Sequence, residues 1–301
     1  MSAATQSVSR SLSTRRVCWS FLILGFVLLF VVQRRIDHEM GIYAKISDVL
    51  YIPSGVNLRR LSMGNEGLLA DVYWTRVVQY YGRNHMPGAG GRNDLLAPLL
   101  RITTELDPHL LIAYRFGAIF LSGKPPAGAG QPQAALELLR RGIVANPNYW
   151  RLWQDLGFVY YWELKDYKTA SRIFSTGSRM PGADFWMKAL AGTVAFKGGE
   201  AQTSRLLWSE IYQHAETDEI RRTAQEHLAA LTAVDEMNQL NGRLASYQAK
   251  EGHEAHSFAE LVATGFLRGV PRDPSGVPYV IGPDGRAELG PSSQVSLFLL
   301  Q

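Results

Sequence analysis

From residue 64 onward, apolar positions recur every three or four residues, the period of a helix face turned toward a core. Leu68 to Tyr81 keep that spacing, and after a Gly/Pro/Asn loop at 82–93 a partner segment runs from Leu95 to Leu106. Asp94 is its expected cap, and Pro98 lies in the opening turn, where a missing N–H is tolerated. Asp107-Pro108 ends that helix. A second pair has Ala113, Phe116, Gly117 and Phe120 on one helix, then Ala135, Leu139 and Gly142 on the other, closing at Pro147. The central pair has Trp153, Leu156, Gly157 and Tyr160, then Ala170, Phe174 and Gly177, closing at Pro181. Met187, Leu190, Ala191 and Val194 open a last pair, turned at Lys197-Gly-Gly-Glu200 and completed by Ser204, Trp208 and Ile211. Pro147 and Pro181 are 34 residues apart, and Ala135 and Ala170 are 35 apart. Such recurrence marks stacked helical hairpins, in which large residues of one helix meet small residues of the next. The longer interval between Gly117 and Gly157 reflects a Gly/Pro loop at 123–131.

The expected fold is therefore all-α, a solenoid of about three to four hairpins over residues 64–216. Residues 217–250 read as a capping helix begun by Thr217-Asp218-Glu219, with Glu219, Arg221, Arg222 and Glu226 outward. Residues 251–301 read as a short helix opened by the capping box Ser257-Phe-Ala-Glu260, then a Pro/Gly-rich tail. Within it, Tyr279-Val-Ile281 followed by Pro283-Asp-Gly285 predicts a small β-hairpin.

The beginning of the chain follows a different pattern. Residues 1–16 are a basic, Ser/Thr-rich tail, residues 17–33 an almost unbroken apolar run, and residues 34–63 a linker. Sixteen apolar residues make about 24 Å of helix, short of a hydrocarbon core but extendable by snorkelling arginines. The run is read as an uncleaved transmembrane signal anchor in preference to a cleaved signal peptide or a buried helix, because Gln33-Arg-Arg-Ile-Asp37 stands where small residues should mark cleavage. Three arginines before it and two after favour a cytoplasmic amino terminus, which would put the repeats outside the cytoplasm, at a bacterial inner membrane.

Trp153, Leu156, Gly157 and Tyr160 have the spacing W-x2-L-G-x2-Y, and with Ala170, Phe174 and Pro181 they resemble a tetratricopeptide repeat carrying one extra residue between its helices. The order of anchor, Tyr51-Ile-Pro53-Ser54-Gly55, repeats and the tail motif Asp273-Pro-Ser-Gly276-Val-Pro-Tyr279 resembles membrane-anchored tetratricopeptide proteins of bacteria. That resemblance implies a scaffold or adaptor that binds a protein or peptide partner in envelope biogenesis, secretion or pilus-type assembly. It also implies a concave groove lined by the first helix of each repeat. The matching positions are Arg151, Gln154, Phe158, Tyr161 and Trp162 in the central unit. Leu111, Tyr114 and Ala118 match in the unit before, with Phe185, Lys188 and Phe196 in the unit after. The alternative is that these aromatics only pack the neighbouring unit or the tail.

Charge changes the picture little once it is located. The chain has 31 basic and 27 acidic residues and a pI near 9.1, but residues 1–35 hold five arginines and no acid. The remaining 26 basic and 27 acidic side chains leave the body neutral, with no basic stripe for nucleic acid. One cysteine, Cys18, excludes an internal disulfide framework. His253-Glu-Ala-His256 has the wrong spacing for a helical zinc pair. The Gly-rich loops lack the Lys-Ser/Thr of a phosphate loop, and no nucleophile elbow is present. Asp273-Pro-Ser-Gly276 reads as a turn whose Gly276 takes positive φ rather than a calcium site shared with Asp284. No enzyme activity, cofactor or small-molecule substrate is expected. The remaining alternatives are an enzyme or metal-dependent module built on residues 250–290, and a spacer with no groove ligand.

Overall fold

The computed structural model describes residues 19, 24–32, 34–35, 55–84 and 93–300 of the chain. The backbone separates into two units, residues 1–53 and 54–301. In the first, residues 24–32 are helical and their apolar side chains are exposed. Among the described residues no helix is long and apolar enough to cross a membrane. That corrects the expectation of a single-pass protein anchored at 17–33. The basic tail 1–16 and the Tyr51–Ser54 part of the linker motif lie outside the described residues.

The second unit is helical apart from a two-stranded sheet. Its helices are α1 (Gly55–Leu61), α2 (Glu66–Asn84), α3 (Leu96–Leu106), α4 (Leu111–Ser122), α5 (Pro132–Ala145), α6 (Trp150–Phe158), α7 (Tyr167–Gly177), α8 (Phe185–Lys197), α9 (Ala201–Gln213), α10 (Asp218–Glu251) and α11 (Phe258–Ala263). Each of α2 to α10 packs against the next, so the chain accretes as pairs: α2 with α3, α4 with α5, α6 with α7, α8 with α9. Alternate helices also meet, α3 with α5 and α4 with α6. Gly55 opens α1 against α3, where an added Cβ would lie 2.7 Å from the Glu105 Cβ.

Local chemistry accounts for the element ends. Asp166 caps α7 by accepting from the Thr169 N–H at 3.0 Å. Thr217 caps α10 by accepting from the Ile220 N–H at 3.2 Å, with Asp218 and Glu219 in the first turn to meet the helix dipole. That helix stops at Gly252, whose φ of 79° is the left-handed geometry of a C-terminal cap. Two expected caps are absent. Leu95, not Asp94, occupies the position before α3 and makes no side-chain cap bond. Ser257 likewise makes none at α11, and the Glu260 carboxylate reaches one residue further back to accept from the His256 N–H at 2.7 Å.

The extra residue of the central pair has a definite place. Val159–Glu163 continue α6 as one π-helical turn, closed by the Leu164 N–H donating to the Val159 carbonyl at 3.3 Å. A π-turn holds one residue more than the α-helix it interrupts. Thus the insertion widens one turn instead of shifting the helices on either side.

Three clusters make the core of the later part. The first joins Trp150, Ala170, Phe174, Met187, Ala191, Val194 and Leu207 across α6 to α9. Another joins Trp208, Ile211, Ala224, Ala230, Leu231 and Leu300. The last packs α11 and the hairpin on the far half of α10 through Leu240, Leu244, Tyr247, Phe258, Leu261 and Tyr279. The predicted hairpin is present: β1 (Val280–Ile281) pairs antiparallel with β2 (Ala287–Glu288), Val280 opposite Glu288 and Ile281 opposite Ala287.

Candidate functional site

The first helices of successive pairs, α4, α6 and α8, share one face. Arg115 of α4 forks onto Asp155 of α6, Nε to Oδ2 at 2.7 Å and the second nitrogen to Oδ1 at 3.4 Å. Burial pushes the Asp155 carboxyl up against the pull of that guanidinium, whereas the pairing raises Arg115. Trp150 of α6 meets Trp186 of α8 edge to face at 5.7 Å. Earlier in the stack, Trp74 and Tyr81 of α2 both stack on Phe120 of α4, at 6.2 and 3.9 Å.

On this face the π-turn presents an aromatic and cationic cluster. Tyr161 meets Trp162 at 4.7 Å and Tyr167 at 5.2 Å, both edge to face. From the end of α8, the Lys197 ammonium donates to the Tyr161 hydroxyl at 3.1 Å and lies 5.3 Å from the Tyr161 ring and 5.2 Å from that of Tyr167. The hydrogen bond to Tyr161 holds the Lys197 amine above its usual range. Lys165 stands 5.3 Å over Trp162, whose ring remains 57% exposed. An exposed indole with a cation over it is a surface able to take an apolar or aromatic anchor by stacking.

The other expected groove residues are dispersed. Arg151 lies 4.7 Å over the Trp150 ring, and Gln154 is half-buried on α6. Phe158 meets Phe174 edge to face at 5.3 Å, so its ring packs the central pair. Lys188 sits 3.3 Å from Glu210. Together they line a cavity of about 450 Å³ with Ser178, Asp184, Phe185 and His214. Tyr114 is a correction: it is 2% exposed and belongs to the core, not the groove. Its ring fills the space left by Gly142, where a Cβ would come within 2.7 Å of it. Ala118 is buried beside it. The outward apolar positions of α4 are instead Ile112, Phe116 and Ile119, spaced i, i+4, i+7.

The residues expected to define the repeat occupy its interior. Gly117 faces Leu100 and Leu138, and Gly157 faces Phe174, in both cases with no room for a methyl group. Ala135, Ala170 and Leu156 are buried. Trp153 is half-buried beside Gly177, its indole nitrogen enclosed without a partner. The Tyr160 hydroxyl accepts from Arg140 at 2.7 Å, and Pro181 is exposed in the turn after α7.

The tail residues do not converge on a site. Among the described residues no group of three His, Cys, Asp or Glu is placed to hold a metal ion. Nδ1 of His253 is 3.0 Å from the Glu254 carbonyl. Asp273 is buried, and burial alone would raise its pKa. Four donors outweigh that and hold it below the usual carboxylate range: the Ser293 and Ser275 hydroxyls and the Val277 and Ser275 N–H groups. Gly276 completes the turn at φ +88°. Asp284 caps a different turn by accepting from the Arg286 N–H at 3.0 Å. Sequence reasoning did not single out Lys165, Tyr167 and Lys197 as site residues. Three residues from two helices and a loop meet only after folding, and no single period relates them.

No family model, no curated protein and no solved structure matches this chain.

Proposed function

We propose that the chain is a tetratricopeptide-type helical scaffold that binds a protein partner through an apolar segment laid along the α4–α6–α8 face. The observation that carries this reading is the exposed Trp162, packed edge to face on Tyr161 of the π-turn, with Lys165 over its ring and Lys197 on Tyr161. A π-turn is a conformation often found at functional sites. Here it leaves the Trp162 ring outward at the point where the repeat spacing is one residue too long, while Tyr161 packs half-buried beneath it. Rigid aromatic side chains contribute contact area at low entropic cost, which suits a peptide anchor. Paired helices with close-approach glycines support the same reading, because they keep that face stiff.

Selection of a random-peptide library on the purified chain tests it. The expected result is an enriched group of peptides sharing an apolar or aromatic anchor. Trp162→Ala should weaken their binding about tenfold or more, the scale of one lost anchor, with an unchanged melting curve. Failure to enrich any peptide, or equal binding by Trp162→Ala, sinks the proposal.

A further inference from the structure

Beyond β2 the chain doubles back over its own helices. Its last described turn, Leu297–Leu300, packs on both α8 and α10, the two helices that flank α9. Val295, Leu297 and Leu300 join Trp208, Phe196 and Leu231 in one cluster. Leu300 is 5% exposed, while Phe298 is 77% exposed. From Ser293 to Leu299, every second residue is turned inward and the residues between face out. Residues 293–296 thus alternate as an extended peptide does on a surface, and the 3-10 turn Leu297–Leu300 then sets Leu297 and Leu300 down together.

Two features set this segment apart from a piece of core. Among the described residues it is tied only at its start, to the Asp273–Ser275 turn, where the Ser293 hydroxyl donates to Asp273 and the Gln294 N–H donates to the Ser275 hydroxyl at 3.3 Å. Past that point, among the described residues, no backbone hydrogen bond joins residues 296–300 to the helices beneath. Residues 290–301 also carry no charged side chain. From Val295 onward apolar side chains hold the segment down, partly on α8, the helix that also supplies Lys197 to the Tyr161 cluster.

We propose that residues 290–300 are a removable strap, an intramolecular ligand that covers the α8–α10 part of the binding face. The partner segment it excludes has the same chemistry: extended, uncharged, with apolar anchors spaced as Val295, Leu297 and Leu300. That last step rests on the scaffold reading above, whereas the strap itself does not. While the strap is seated, a competing segment binds only in proportion to the fraction of molecules in which it has lifted.

The test uses the full chain and a fluorescein-labelled peptide of residues 290–301. The double variant Leu297→Asp/Leu300→Asp should keep its helical circular dichroism and bind the peptide. The unaltered chain should bind at least about tenfold more weakly, its site being occupied. Equal binding by the two chains overturns the proposal. So does loss of helical signal in the variant, which would make residues 297–300 part of the core. Because the probe is the chain's own segment, this assay can succeed while the library selection fails, and the reverse, so the two readings fall separately.

Discussion

Glycines on these helices are of two kinds. At Gly157 an added Cβ would lie 2.4 to 2.8 Å from the Phe174 ring, which is itself fully buried and has nowhere to move. Gly242 on α10 has no heavy atom within 4 Å of the same point. The two should therefore respond oppositely to alanine. Gly157→Ala should lower stability by about 1–3 kcal/mol through overpacking. Gly242→Ala should raise it by about 0.5–1 kcal/mol, because alanine loses less backbone entropy in a helix. Urea melts of both variants check the signs. A common sign would mean that close approach does not determine where glycine sits in this stack. Tyr114 teaches the same lesson in reverse: an aromatic at a position expected to face a partner is buried because Gly142, 28 residues later, leaves room for its ring.

At the scale of single elements, the π-turn and the cap that follows it work as one joint. The Asp166 N–H donates to the Tyr160 carbonyl at 3.0 Å, and the Asp166 carboxylate accepts from Thr169 to start α7. Hydrogen bonds from the Thr169 side chain and backbone hold that carboxyl below its usual range. Asp166→Ala should lower stability by about 1 kcal/mol, the usual loss at a helix N-cap, and Asp166→Asn should recover most of it. A melting curve unmoved by alanine would show that α7 starts without its cap. The order of the helices from α2 onward was legible in the apolar period, whereas α1 lies in the segment read as a linker, 34–63, and corrects it. The π-turn was legible only as one residue too many, since periodicity counts a surplus but does not say which hydrogen bonds absorb it. Helix starts are read less closely: α3 begins behind Leu95, whose side chain has nothing to cap with, and Ser257 stands before α11 without making the bond.

For the whole molecule, the junction of α9 with α10 ties stability to pH. Trp208 and His227 stack in parallel at 3.7 Å, and both ring nitrogens Nε1 and Nδ1 are enclosed without hydrogen-bond partners. Burial lowers the His227 pKa to about 4, from an ordinary value near 6.5. The folded state thus disfavours the charged ring, so this contribution is whole above pH 6.5 and is lost as pH falls from there toward 4. A shift of that size corresponds to about 3 kcal/mol. The urea midpoint should fall over that window, and His227→Phe should keep the stack while flattening that part of the curve. An equally steep acid limb in His227→Phe would assign the loss to other groups. No sequence pattern marked this pair, because its two rings are brought together only when α9 turns back against α10.

What the sequence determined by itself is the one-dimensional part. The helical period, the recurrence of small and large residues, the hairpin turn at Pro283-Asp284-Gly285 and the neutral body are all local or compositional, and each survives folding unchanged. What tertiary structure decided is which side of each helix stays open. Burial is a property of neighbours: Gly142 draws Tyr114 inward, the π-turn leaves Trp162 outward, and Leu297–Leu300 cover parts of α8 and α10 from much later in the chain, contacts that no local pattern encodes.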